Sequence, residues 1–313
     1  MPKTKSPRKG SLQFWPRKRA NKFLPSVNWS AISSEKGFKG FICYKAGMAS
    51  AHVKDSTPNS MTFGKNIFVP ITILECPPMK ILSIRFYKNG KVAKEILNKN
   101  LDKELKRKIK LPKKEAKKLD EVKVEDYEDI KIIVYSHVKK TGLKKKPDLS
   151  EIGLSGSIDE KFSFIKENLE KEIFVSDVFE KGTLVDLRGL TKGKGFSGPV
   201  KRFGIKLKQK KSEKGQRRPG SLGPWHPARV TFRAPQAGQL GMFTRIIYNN
   251  MIIDLGKSEG KFIGLKNFGD VKTDYVIVQG SVQGPAKRQL LMTRPLRQTK
   301  KQLKKNYDLI DIK

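Results

Sequence analysis

The sequence predicts a mainly β fold with an α/β insertion. The body is a small closed β-barrel that carries a long basic finger loop and an extended N-terminal arm. Three observations lead there. Short runs rich in β-branched and aromatic residues, broken by Gly, Pro and Asn, occur in two separate blocks. The stretch between the blocks has a different, mixed-charge composition. The basic residues gather in segments that hold almost no acid. Taken whole, 67 Lys and Arg against 30 Asp and Glu give a net charge of +37, in a chain only 37% hydrophobic. Such self-repulsion opposes compaction, so most of the charge must stay outside the core and face a polyanion.

Residues 1–35 form the extended arm, with Lys3, Lys5, Arg8, Lys9, Arg17, Lys18, Arg19 and Lys22 against a single acid, Glu35. Phe14 and Trp15 sit in "GSLQFWPRKRA" with no hydrophobic period around them. This reads as a segment that orders on a partner. Residues 36–90 give the first part of the barrel, with strands over 38–45, 49–54, 67–75 and 80–87 and a turn at Asn89-Gly90. Residues 91–182 form the insertion, with 23 basic against 19 acidic residues. Within it "KEILNKNLDKELKRKIK" and "IDEKFSFIKENLEK" read as helices and "DIKIIVYSHV" as a strand. Its mixed charge is what a solvated surface carries.

A barrel strand over 183–191 precedes the basic finger, residues 192–240. Up to Arg233 the finger holds 13 basic residues, among them Lys192, Lys194, Lys201, Arg202, Lys206, Arg217, Arg218, Arg229 and Arg233, and one acid, Glu213. A segment so polar and so punctuated by Gly and Pro cannot offset its ordering entropy alone, and it is expected to be disordered without a partner. The second part of the barrel covers 241–290. A basic C-terminal tail, 291–313, includes Arg294 and Arg297.

Several motifs are excluded on their surroundings. "GKGFSG" matches G-x-G-x-x-G, but Pro199 follows where a dinucleotide site needs an apolar helix and then an acid about twenty residues on. Glycines there suit a backbone that approaches phosphates, or a plain flexible loop. "GKS" at 256–258 lacks the first glycine of a phosphate loop, since residue 251 is Met251. Cys43 and Cys76 match no metal spacing and read as reduced core thiols. His52 and His137 read as structural. No metal, no cofactor and no catalytic constellation is expected. The longest apolar run, "IFVPITIL", is far short of a membrane span, and no membrane partner is expected.

"PGSLGPWHPARVTFR", residues 219–233, carries the functional argument. Trp225 and His226 lie between two prolines, with no strand or helix to present them. An isolated tryptophan is usually core. Here Pro224 and Pro227 restrict the backbone around a ring that has no core to enter. Stacking of a base on an aromatic is worth roughly 1–3 kcal/mol. Trp225 is therefore expected at the tip of the finger, inserted into folded RNA, with His226 as a stacking or hydrogen-bonding neighbour. The other expected RNA contacts are the basic residues named above in the arm, finger and tail, together with Trp15.

"GSLQFWPRKRA", "LTKGKGFSGPVKRFGIK", "GPWHPARV" and "AGQLGMFTR", in that order, resemble the universal large-subunit ribosomal protein L-three family, in its archaeal form. The resemblance runs through nearly the whole chain and is weakest over 91–182. It implies a barrel with a helical insertion, an arm and finger that reach into large-subunit rRNA, and early entry into subunit assembly. It also implies neighbouring large-subunit ribosomal proteins as partners, a cytoplasmic place in the ribosome, and a finger tip near the peptidyl transferase centre. Eukaryotic members have a histidine near Glu213, and some methylate it; Glu213 excludes that modification. The alternatives are a generic nucleic-acid-compacting protein or RNA chaperone, and an RNA-modifying enzyme, for which the sequence offers no acid, base or cofactor pocket.

Overall fold

The computed structural model describes residues 9–33, 37–112, 119 and 126–313. The chain divides into two compact units, Met1–Lys22 with Leu190–Thr244, and Phe23–Gly189 with Arg245–Lys313. The strands in chain order are β1 (Gly40–Asp55), β2 (Asn66–Cys76), β3 (Met79–Lys88), β4 (Lys91–Leu97), β5 (Asp129–Ser136), β6 (Leu149–Gly153), β7 (Leu184–Leu190), β8 (Phe196–Ser197), β9 (Gly238–Gln239), β10 (Thr244–Lys257), β11 (Asp274–Gln279), β12 (Gln289–Thr293) and β13 (Tyr307–Ile312). The α-helices are short: α1 (Ile158–Asn168), α2 (Pro199–Phe203) and α3 (Lys300–Leu303). The fold is mainly β.

Among its described residues the larger unit holds two sheets. Seven strands run in the order β12-β7-β10-β11-β2-β1-β13, and β1 also pairs β12. The pairings among β1, β2, β11, β10, β7 and β12 therefore return to their starting strand. β1 achieves this by length. Its first half pairs β12 (Phe41 opposite Met292), its second half pairs β13 (Ala51 opposite Ile312), and β2 lies along its other edge. The two strands expected over 38–45 and 49–54 are thus one. The register shifts between Lys45 and Gly47, so the extra residue is absorbed as a bulge and the strand bends without ending.

The second sheet has the order β4-β3-β5-β6. Asn89 (φ 51°) and Gly90 (φ 69°) make the tight turn between β3 and β4 that the Asn-Gly pair predicts. That turn corrects two expectations. β3 pairs β4 and β5, so residues 80–87 belong with the insertion and not with the first part of the barrel. The helix expected over 94–110 is replaced by β4 and by a 3₁₀ turn at Lys103–Arg107 that buries Leu105 against Leu82 and Tyr135. Once the turn folds the chain back, pairing to β3 outweighs the helical preference of a Lys- and Leu-rich segment.

The main core lies where both sheets and α1 contribute. Phe41, Ile42, Ile84, Phe86, Ile132, Ile165 and Leu290 are all buried in one cluster. Ser157 and Glu160 form a capping box that starts α1. Trp29 is held by close backbone approach, since a Cβ on Gly153 or Gly40 would run into its side chain. The segment read as a basic tail, 291–313, carries most of β12, α3 and β13, so it contributes two strands to the larger sheet.

Candidate nucleic-acid interface

The smaller unit begins as a zipped ribbon. The Lys194 amide donates to the Leu240 carbonyl (2.9 Å) and the Leu240 amide to Gly195 (2.9 Å), while the Thr191 amide donates to Phe243 (3.0 Å). β8 pairs β9 just beyond these bonds. The "GKGFSG" glycines serve this root: Gly195 has φ 61°, and on the returning strand Gly241 (φ 78°) presses so close to the Lys192 carbonyl that a Cβ would not fit. α2 then turns the chain, and Gly204 ends it in the left-handed region. From α2, Arg202 donates Nε to the Gln239 carbonyl (3.1 Å) and Nη1 to Gln236 (3.0 Å). Its guanidinium therefore ties α2 to the returning strand, and burial lowers its pKa from the usual arginine value.

Beyond the root the chain is open. Between Phe203 and β9 no strand or helix forms. One turn is closed by the Lys208 amide on the Gln216 carbonyl (3.1 Å) and by Gln216 Nε2 on Lys210 (3.1 Å), with Glu213 exposed inside it. Every residue from 221 to 233 is exposed. Trp225 is 87% exposed. Together with Leu222, Pro224, Pro227, Ala228, Arg229 and Val230 it lines an open concavity of ≈ 370 Å³. A ring this large left in water, in a rim of prolines and arginine, presents a flat apolar surface with cationic charge beside it.

The arm lies against this unit's root, which the sequence reading missed. The Arg17 guanidinium sits 4.4 Å from the Phe203 ring centre and 5.0 Å from that of Trp15. Trp15 in turn packs on Phe232 with ring centres 5.0 Å apart. The Ala20 amide donates to the Met242 carbonyl (3.0 Å), and the Lys9 stem covers Gly204. The signal available in the sequence was a set of aromatics, Trp15, Phe203 and Phe232, with no local partner; nothing local says that they meet.

The expected contact residues fall into three groups. Lys9, Lys18, Arg19, Lys192, Lys194, Lys201, Lys206, Arg217, Arg218, Trp225, His226, Arg229 and Arg233 are exposed in this unit. Trp15 and Arg17 are engaged where the arm meets the finger, and Arg202 within the finger root. Arg294 and Arg297 belong to the larger unit. There Arg294 donates Nη2 to the Val178 carbonyl (2.8 Å) and lies over Phe179, while Arg297 is exposed. Lys3, Lys5 and Arg8 lie outside the described residues. The remaining histidines have structural surroundings: His52 stacks on Phe68 (4.8 Å), and His137 lies between Glu104 and Glu172.

Met1–Lys22 and Leu190–Thr244 together hold 21 of the 67 basic residues and one of the 30 acids. Such side chains can neutralise phosphates and stack on bases; the described residues of this unit offer no acid–base pair. Among the described residues, no group of three or more His, Cys, Asp or Glu side chains is placed to hold a metal ion, and no helix is long and apolar enough to cross a membrane.

Known proteins resemble the chain over its length. The family model described as Ribosomal protein L3 matches residues 1–312. The large ribosomal subunit protein uL3 of Methanocaldococcus jannaschii is 42% identical over 307 residues, covering 93% of this chain and 91% of that protein. The uL3 proteins of Methanococcus vannielii, 43% identical over 311 residues, and Archaeoglobus fulgidus, 39% over 308, each cover 94% of this chain and 92% and 93% of their own lengths.

Proposed function

This chain belongs to the ribosomal protein L3 family, in its archaeal form, and from that premise we propose that it is a structural constituent of the large ribosomal subunit. It acts in translation as a non-catalytic scaffold, in the cytoplasmic ribosome. The larger unit is the body, and its returning circuit of strand pairings supports the reading of a small closed barrel. The arm and finger bind large-subunit rRNA, and neighbouring large-subunit proteins complete the surroundings.

The observation that carries the RNA-binding part is Trp225, 87% exposed within a segment whose cations outnumber its acids so heavily. Exposed lysines and arginines neutralise phosphates and set position, while Trp225 and His226 supply stacking and the shape-dependent part of recognition. By family resemblance the tip works near the peptidyl transferase centre, and the protein enters assembly early.

The test is binding of the purified chain to large-subunit rRNA over a salt series, with small-subunit rRNA and duplex DNA as competitors. Phosphate contacts alone lose roughly 10³–10⁵ in affinity between low and physiological salt for 6–10 contacts. A preference for folded large-subunit rRNA that persists at high salt supports the reading. A parallel fall for all three nucleic acids identifies a generic compacting protein.

A further inference from the structure

Two cysteines that are 33 positions apart in sequence meet in the body's core. β1 and β2 run antiparallel with Tyr44 opposite Glu75. One further step of that register sets Cys43 opposite Cys76. Their outer neighbours agree, since Cys43 lies opposite Leu290 of β12 and Cys76 opposite Asp274 of β11. Both are fully buried, both are free thiols, and both belong to the same core cluster. Burial pushes the Cys76 thiol well up, and the Cys43 thiol beside it, within hydrogen-bonding reach, pushes it the same way. Cys43 also donates to the Leu290 carbonyl (3.8 Å).

Directly opposed residues of an antiparallel pair have Cα atoms about 4.5–5.5 Å apart, inside the roughly 4.4–6.8 Å that a disulfide spans. A dithiol in this position has no role in holding RNA, and two sulfurs alone do not complete a metal site.

We propose that Cys43 and Cys76 form a latent cross-strand disulfide, closed when the body folds in the presence of a low-molecular-weight disulfide. In the first step one cysteine thiolate attacks that disulfide, forming a protein mixed disulfide and releasing one small thiol. In the second, the other cysteine thiolate attacks the protein sulfur, forming the Cys43–Cys76 bond and releasing the second small thiol. The dithiol loses two protons and two electrons, and the small disulfide gains them. Complete burial keeps both sulfurs out of reach of a small disulfide in the folded chain, so closure belongs to folding or to opening of the β1–β2 hairpin. Once closed, the bond ties the ends of that hairpin across the strand pair and restrains the unfolded chain.

The experiment refolds the reduced full chain from guanidinium in a glutathione redox buffer. The products are read by intact mass, by peptide mapping and on a non-reducing gel. The expected product is a monomer 2 Da lighter, with Cys43 and Cys76 peptides joined and a higher denaturation midpoint than the reduced chain. Cys43→Ala and Cys76→Ala should each lose the redox dependence of that midpoint. The folded, reduced chain exposed to the same buffer should oxidise far more slowly. Glutathione adducts that persist on either cysteine, disulfide-linked dimers, or two free thiols after refolding would each overturn the proposal. The mass readout uses the native sequence, so it does not depend on the variants folding.

Discussion

The two units of this chain are held together by different means. Phe23–Gly189 with Arg245–Lys313 holds 46 basic and 29 acidic residues and buries a continuous core of Phe, Ile, Leu and Val. Met1–Lys22 with Leu190–Thr244 is a third of that length, holds 21 basic residues and one acid, and buries little more than Phe203 and Ser197 along its finger. The body gains stability from removing apolar surface from water. The finger cannot, because its side chains are exposed and its like charges repel. One part of the chain thus draws its stability from a buried core, while the other keeps its side chains and its charge in water. Mutations should therefore separate: body substitutions change stability, and finger substitutions change binding.

The largest effect should come from the body's core. Phe86 is fully buried on β3, 5.0 Å from Tyr127 and 6.4 Å from Phe162, ring centre to ring centre. Phe86→Ala should cost about 3–5 kcal/mol in chemical denaturation, the range for truncating a buried aromatic. The fraction that remains folded should bind rRNA with unchanged affinity. If that affinity falls as well, the two units are not independent.

A smaller loss in the same region should depend on pH. Asp55 ends β1, buried, and accepts from the Thr57 amide (2.9 Å) and the hydroxyls of Ser60 (2.8 Å) and Thr62. Burial pushes its carboxyl pKa up, but the hydrogen bonds outweigh this and hold it well below the usual range. A pKa lowered by folding contributes stability that is present above the unfolded value, about 3.9, and is lost as pH falls towards the folded one. Urea midpoints should therefore drop below about pH 4 in the native sequence. In Asp55→Asn the drop should be shallower, and about 1.5–3 kcal/mol should already be missing at pH 7, the range for hydrogen bonds to a charged group.

The finger should show the opposite pattern. Trp225→Ala should leave the denaturation midpoint unchanged, because the ring is almost wholly in water. It should weaken rRNA binding by about 5–150-fold, which corresponds to one stacked base at roughly 1–3 kcal/mol. Fluorescence titration of native and variant chains measures it. A variant that is destabilised but binds normally would mean that the tip belongs to a core.

Much of this division is legible in the sequence, for physical reasons. Charge segregation needs no structure to be seen, and the β texture of "NIFVPITIL" or "DYVIVQ" survives because the later half of β2 and the middle of β11 are buried on both faces. α1 and the Asn89-Gly90 turn are local signals and are found. β4 is missed because an exposed, lysine-rich edge strand has a helix-former's composition, and only its partner β3 decides the matter. The arm's seat on the finger root is missed for a similar reason: Arg17 and Phe203 are far apart in sequence, and a cation between two aromatics leaves no period. Arg202 was counted with the outward charges because sequence alone cannot say that α2 turns it onto the carbonyls of Gln236 and Gln239.

The smallest effect tests that seat. Arg17 lies over both Trp15 and Phe203, and a cation over an aromatic at an exposed site is worth about 0.5–1 kcal/mol. Arg17→Ala should therefore loosen the arm without unfolding anything else. The sensitive reporter is the Ala20 amide, which donates to Met242 beside the finger root. Its hydrogen exchange should speed up about 2–5-fold, while amides of β1 and β5 stay as they were. Arg17→Lys should restore only part of the protection, since an ammonium keeps the charge but loses the flat guanidinium that stacks on the rings. Unchanged exchange at Ala20 would mean that the arm is held by its backbone alone. Faster exchange in β1 would mean that the arm's attachment is coupled to the body's core, and that the two modes of stabilisation are not separate after all.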